Sequence, residues 1–270
     1  MAILDTGDVS LHVQRLPPAD GRPPISTAVL LHGLFTDSLA SHYFTLAPAL
    51  AAVGFDVVMY DHRGHGRSDR PLSGYHLDAF TTDLENVIAR LGVNAPVHII
   101  GNSFGGTVAF GYAVRRPEKT ASLLVIESEP ATEEWARKLR GIFPRIIKEL
   151  CEDETRTLAK ITSHYDARTA RLAKSASQLI RETTILQDIP SSTVLTDAQI
   201  NSVSCPVLAV YGGDSDLVTH APMLKSMLPD CHTFIVPGHE HSVLIEAPKL
   251  VRELAVSWLS ASGSLETEIS

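Results

Sequence analysis

Short uninterrupted apolar runs recur along this chain, with apolar residues at helical spacing between them, and no other feature restricts the fold as much. "TAVLLHG" (27–33), "FDVVMYD" (55–61), "VHIIG" (97–101) and "ASLLVIE" (121–127) lack the polar alternation of a strand with one wet face. Runs of this kind suit strands covered on both faces, the usual condition of a parallel sheet. Between them, Phe44, Leu46, Ala47, Leu50 and Val53 keep helical spacing until Gly54, which predicts a helix over 42–53. Further helices are predicted over 77–91 and 104–115, the latter stopped by Pro117. By contrast "VSLHVQRL" (9–16) alternates and predicts a half-solvated edge strand, after which "PPADGRPP" turns the chain. Strands joined by helical crossovers imply an α/β fold with a mostly parallel sheet.

The alternation breaks at Glu129-Pro130. From Thr132 to about Ile180 there is no strand-like segment. Trp135, Leu139, Ile142, Phe143, Ile146, Ile147 and Leu150 recur every three or four residues, and Leu158, Ile161, Tyr165, Leu172, Ala176 and Leu179 do the same. These spacings predict two or more amphipathic helices inserted between strands, with a kink at Pro144. Such stripes serve helix packing first, but a helical block here can also cap a pocket, whose lining would include Trp135, Phe143 and Tyr165. The expected division is a core of 1–130 and 191–260, a helical cap of 131–190 and a frayed polar tail of 261–270. Strand patterns resume with "CPVLAVYGG" and "CHTFIVPG", and a last helix runs from Pro248 to Leu259.

Composition narrows the function classes. The net charge of −8 and the lack of a basic run argue against nucleic acid and membrane surfaces as partners. The first ten residues lack the pattern of a signal peptide, and no apolar run reaches the ~20 residues of a membrane span. Cys151, Cys205 and Cys231 are odd in number and widely spaced, as expected of free thiols in a reducing compartment. The expectation is a cytoplasmic protein; the sequence does not specify its oligomeric state.

Chemistry concentrates at "GNSFG" (101–105), a G-x-S-x-G between a predicted strand and a predicted helix. A serine exposed at the tip of so sharp a turn takes a strained backbone conformation, and the residues two before and two after it must be small. The helix that follows points free N–H groups at the site, which suits a developing oxyanion. A phosphate loop is the rival, but neither G-x-G-x-x-G nor G-x-x-x-x-G-K-[ST] occurs at this turn. A serine nucleophile needs a base and a group to orient that base. Later strands end at Asp214 and Asp216 in "YGGDSD" and at His239 and His241 in "PGHEHSVLIEAP", in the order serine, acid, histidine.

The motifs "LLHGLF" (30–35), "YDHRGHGRSD" (60–69), "GNSFGG" (101–106), "YGGDSD" (211–216) and "PGHEHSVLIEAP" (237–248) together resemble the α/β-hydrolase superfamily, in its branch with a helical cap after the sixth strand. The resemblance implies an eight-stranded sheet flanked by helices. It also implies acyl transfer through Ser103 as nucleophile, with no metal and no organic cofactor. The family's Pro-Gly-x-x-His and His-x₄-Glu-x-Pro spacings both select His241 as base, with His239 as the alternative. Glu240 departs from the glycine often found before that histidine. Family spacing from Gly213 selects Asp216 as acid, with Asp214 and Glu127 as alternatives, the latter because some members carry the acid after strand six. The oxyanion donors implied are the N–H groups of Leu34 and Phe104, with Phe35 flanking the pocket. His32 and the "DHRGHGRSD" turn are implied to be structural. The expected substrate is a small hydrophobic ester, thioester or lactone. C–C hydrolysis, cofactor-free oxygenation and a receptor that keeps the triad are the other outcomes open to this family.

Overall fold

The computed structural model describes residues 2–148 and 167–261. Eight strands form one sheet: β1 (Ala2–Asp5), β2 (Ser10–Leu16), β3 (Ser26–Leu31), β4 (Phe55–Tyr60), β5 (Val97–Asn102), β6 (Thr120–Ile126), β7 (Val207–Gly212) and β8 (Cys231–Val236). Their order across the sheet is β1-β2-β4-β3-β5-β6-β7-β8. Only the β1–β2 and β2–β4 pairs are antiparallel; every pair from β4 to β8 is parallel. The expected fold class is the observed one. The edge is different: β2 is covered by β1, because Ala2–Asp5 pairs with Ser10–Val13. Four residues carrying one acidic side chain gave too little periodicity to announce a strand.

Burial on both faces explains the apolar runs. β4 and β7 are buried along their whole length. Successive residues then enter different cores, as side chains alternate across a strand. Val29 and Leu31 of β3 pack into one cluster with Ile99, Val125 and Phe110. Ala28 and Leu30 pack into the other with Ile100, Leu124 and Trp258. Helices α1 (Leu39–Thr45) and α2 (Ala47–Ala52) replace the single helix expected over 42–53. Pro48 is the reason: in a continuous helix its ring would remove an amide donor and crowd the preceding turn, whereas near the start of α2 it costs nothing. Helices α3 (Leu77–Arg90) and α4 (Phe104–Arg115) lie where the apolar spacing puts them.

Between β6 and β7 the described chain is helical, mainly in α5 (Glu133–Ile147) and α6 (Ala167–Glu182). The Thr132 hydroxyl caps α5 by accepting the Trp135 N–H at 3.2 Å, and Glu133 and Glu134 favour its N-terminal dipole. Pro144 lies inside α5 rather than ending it. On α6, Ala173, Ala176, Leu179 and Ile180 are buried. Leu150, Cys151, Leu158, Ile161, Tyr165 and the tail beyond 261 lie outside the described residues. No helix among the described residues is long and apolar enough to cross a membrane.

One consequence of the strand order positions the site. β3 pairs with β4 on one side and β5 on the other, so crossovers depart in opposite directions from the carboxyl ends of β3 and β5. A crevice opens at such a reversal, and in open α/β sheets ligands bind there.

Candidate active site

Ser103 occupies the tip of the turn from β5 to α4 with φ 51° and ψ −123°. That left-handed backbone is costly for a residue with a Cβ, and one bond to the neighbouring strand and one within the turn hold it: Ser103 N–H donates to Ile126 O at 2.8 Å, and Gly106 N–H to Ser103 O at 2.9 Å. The flanking glycines are required by close approach. A Cβ on Gly101 would collide with the backbone of Gly106, and one on Gly105 with the Leu31 carbonyl.

After β8 the chain turns at Pro237-Gly238 and brings His241 over the serine, with Nε2 3.1 Å from Ser103 Oγ. His241 Nδ1 lies 3.1 Å from Glu127 Oε2. A carboxylate only accepts, so this contact puts the imidazole proton on Nδ1 and leaves Nε2 free to receive the serine's proton. The expectation that Asp216 is the partner is therefore corrected in its geometry: Glu127 reaches the ring. Its backbone is left-handed too, with φ 51°, which turns the side chain back from the end of β6. The carboxylate is wholly buried and accepts the Gly212 N–H and, at 2.5 Å, the Ser215 hydroxyl. Asp216 begins a short 3-10 turn (Asp216–His220) with its side chain exposed. Asp214 is exposed as well, and neither aspartate side chain has a hydrogen-bond partner among the described residues. The alternative base is bonded elsewhere: His239 Nδ1 donates to Pro237 O at 2.8 Å. Ser215 was not foreseen, since a serine between two aspartates gives no signal until the acid is located.

Opposite the imidazole, the loop after β3 runs beside the serine; a Cβ on Gly33 would sit 3.3 Å from Ser103 Cβ. Gly33 N–H donates to Asp37 Oδ2 at 2.7 Å, and Phe35 N–H donates to His65 Nε2 at 2.8 Å. Between them, Leu34 N–H has no acceptor among the described residues. Phe104 N–H opens the first turn of α4, where helical N–H groups have no partner within the helix. The turn "DHRGHGRSD" is a scaffold. His32 donates from Nδ1 to Gly33 O at 2.6 Å, and His62 donates from Nε2 to His32 O at 3.0 Å. Asp61 takes the Leu39 and Arg67 N–H groups and the His12 ring. No group of side chains among the described residues could hold a metal ion.

A cavity of about 660 Å³ lies over Ser103 and His241. Its apolar wall comes from one face of α5, including Trp135, Leu139, Ile142 and Phe143, and from Leu34 and Phe35. Phe35 meets Phe143 edge-on, with centroids 5.9 Å apart. Tyr165, expected beside them, lies outside the described residues. Asp214, Asp216 and Glu240, all exposed, also line it. The one ammonium that lines it among the described residues, Lys138, is 3.4 Å from the buried Glu129 carboxylate, whose other oxygen is 3.5 Å from His220.

Known proteins carry the same framework. Residues 28–248 match a family model described as alpha/beta hydrolase fold. The chain is 24% identical to the 2-(acetamidomethylene)succinate hydrolase of Mesorhizobium japonicum, over 96% of this chain and 94% of that one. It is 27% identical to the pimeloyl-[acyl-carrier protein] methyl ester esterase of Edwardsiella ictaluri, over 82% and 88%. A solved carboxylesterase structure from Nitrososphaera gargenis superposes with a TM-score of 0.76 at 22% identity, covering 97% of this chain and 98% of that one.

Proposed function

The chain belongs to the alpha/beta hydrolase fold family, and from that premise we propose that it is a serine hydrolase cleaving an ester, thioester or lactone of a small hydrophobic molecule. The observation that carries this reading is the continuous path from Ser103 Oγ through His241 to Glu127, with both contacts at 3.1 Å. His241 takes the serine's proton as Oγ attacks the carbonyl carbon, and Glu127 stabilises the imidazolium. Negative charge on the former carbonyl oxygen is met by the N–H groups of Leu34 and Phe104, rigid donors that need no reorganisation. The imidazolium then protonates the leaving group. Water repeats the attack on the acyl-enzyme, with His241 again the base, and regenerates Ser103.

The lining supports the substrate class. The α5 face and Phe35 offer apolar walls, so helices inserted after β6 act as the cap, with the core boundaries near 130 and 191. Among the described residues, Lys138 is engaged by Glu129, and the exposed carboxylates of Asp214, Asp216 and Glu240 leave the mouth acidic. A neutral ester enters without repulsion, whereas an acid carries its charge toward like charges. The succinate derivative in the name of the Mesorhizobium relative would bring carboxylates toward that rim, and we set that class aside here.

Replacing Ser103 by alanine should remove turnover of p-nitrophenyl butyrate while circular dichroism and the unfolding midpoint stay at wild-type values. Unchanged turnover in that variant would refute the assignment.

A further inference from the structure

The proposed oxyanion donor at Leu34 has a support that the catalytic groups do not include. Phe35, with φ 63°, is left-handed without being glycine, and it immediately follows Leu34. A strained residue persists only where its surroundings over-determine it. Here the hydrogen bond to the Phe35 backbone is made by one buried ring. His65 is 2% exposed; its Nε2 accepts the Phe35 N–H at 2.8 Å and its Nδ1 faces Arg63 O at 2.9 Å. A carbonyl can only accept, so Nδ1 carries the proton, and an N–H can only donate, so Nε2 is bare. The two bonds thus define one tautomer and exclude the imidazolium. Burial and the neighbouring His32 push the His65 pKa down to about 3, in agreement with that form. On the other side of Leu34, His32 holds the Gly33 carbonyl, which belongs to the same peptide plane as the Leu34 N–H. The peptide is planar and trans, so that N–H points opposite to the bonded carbonyl.

We propose that His65 is a positioning residue of the oxyanion hole: its bare Nε2 holds the Phe35 N–H, fixes the Leu34-Phe35 turn and leaves the Leu34 N–H as the open donor beside Ser103. The inference rests on the hydrolase reading above, since an open donor matters only if charge develops there. His65 touches no reacting atom. Its effect is to keep an N–H within reach of an oxyanion, and displacement by an ångström is enough to lose most of that stabilisation.

Three substitutions separate positioning from bulk. His65→Gln places an amide oxygen near the position of Nε2 and retains an acceptor for Phe35. His65→Asn places its amide near Nδ1 and retains only the bond to Arg63. His65→Leu fills the space and retains neither. With p-nitrophenyl butyrate, kcat should fall about 10²-fold in the Leu and Asn variants with KM unchanged, and the Gln variant should recover most of the loss. Equal kcat in all four proteins, or a Gln variant no better than Leu when both unfold at the wild-type midpoint, would overturn the proposal. Long-range ¹H–¹⁵N spectra of the wild type supply a readout independent of folding in the variants. The His65 ring should show a protonated Nδ1 and a bare Nε2 at neutral pH, and the opposite tautomer would overturn the proposal too. A wild type inert toward esters, thioesters and lactones would instead break the hydrolase reading, an outcome distinct from active protein with the wrong ranking of variants.

Discussion

The strands β6 and β7 end side by side in acidic loops, "ESEP" and "GGDSD", and they treat their carboxylates in opposite ways. At the end of β6 Glu127 is buried, left-handed and bonded to a backbone N–H, a hydroxyl and an imidazole. Asp214 and Asp216, just past β7, are exposed and carry no side-chain hydrogen bond among the described residues. What β7 sends inward is Ser215, which donates to Glu127. A carboxylate that orients an imidazole has to be held still in a place where its charge is not diluted by water. Being at a strand end and acidic satisfies only the first step of that requirement.

The strongest way to break the contrast is Glu127→Gln. The amide would favour the wrong histidine tautomer, and kcat should fall by about 10³–10⁴-fold, as tautomer loss does in the serine protease template. Asp214→Asn and Asp216→Asn should each change kcat for a neutral ester by less than about threefold. Steady-state rates that reverse this ranking would move the acid to β7. Ser215→Ala comes next: it removes one donor to a charged, buried oxygen, a bond worth about 1.5–3 kcal/mol, so a loss of at least about tenfold in kcat is expected. An unaltered rate would mean that Glu127 is held by the Gly212 N–H alone.

The same division between buried and exposed groups predicts a pH dependence of stability. Burial pushes His42 and His62 below the ordinary imidazole value, and His65 to about 3. In the unfolded chain these rings take up protons near pH 6.5, so between there and the folded values the unfolded state binds more protons. Their contribution to stability is complete above about pH 6.5 and is lost as pH falls below it, for His65 down to about 3, at up to about 1.4 kcal/mol per pH unit for each ring. Urea midpoints should therefore drop from pH 7 to pH 5, and His65→Gln should flatten that slope; an equal slope in the variant would contradict a neutral, buried ring. The smallest effect concerns the rim. Hydrolysis of a hemisuccinate ester should lag that of its neutral methyl analogue, and the paired aspartate substitutions should narrow the gap two- to threefold, less so at high salt.

Much of this molecule could be read before folding it. The parallel strands announced themselves because burial on both faces leaves unbroken apolar runs, and α3 and α4 because one face of each is buried. β1 did not, since four residues at an edge need little apolar patterning. Pro48 was visible, but its meaning as a break between two helices depends on where the second one starts. At the site, Ser103 and His241 carried local signatures: crowding around a sharp turn demands small neighbours on either side of the serine. The choice among Glu127, Asp214 and Asp216 depends on backbone dihedrals and burial, and no residue spacing encodes those. Ser215 and His65 touch the site through a neighbour, Glu127 and Phe35 respectively, so neither has a pattern of its own. The "HRGH" turn reads as structure in the sequence, while its hold on Phe35 depends on how the loop after β3 folds beside it.

The most direct test of the Ser103–His241–Glu127 arrangement is the rate at which a fluorophosphonate modifies the protein, with the modified residue mapped by mass spectrometry. The account predicts a single adduct on Ser103, forming at nearly the same rate in the wild type and in the Asp214→Asn/Asp216→Asn double variant, and far more slowly in Glu127→Gln. An adduct on another residue, or a double variant as slow as Glu127→Gln, would contradict it.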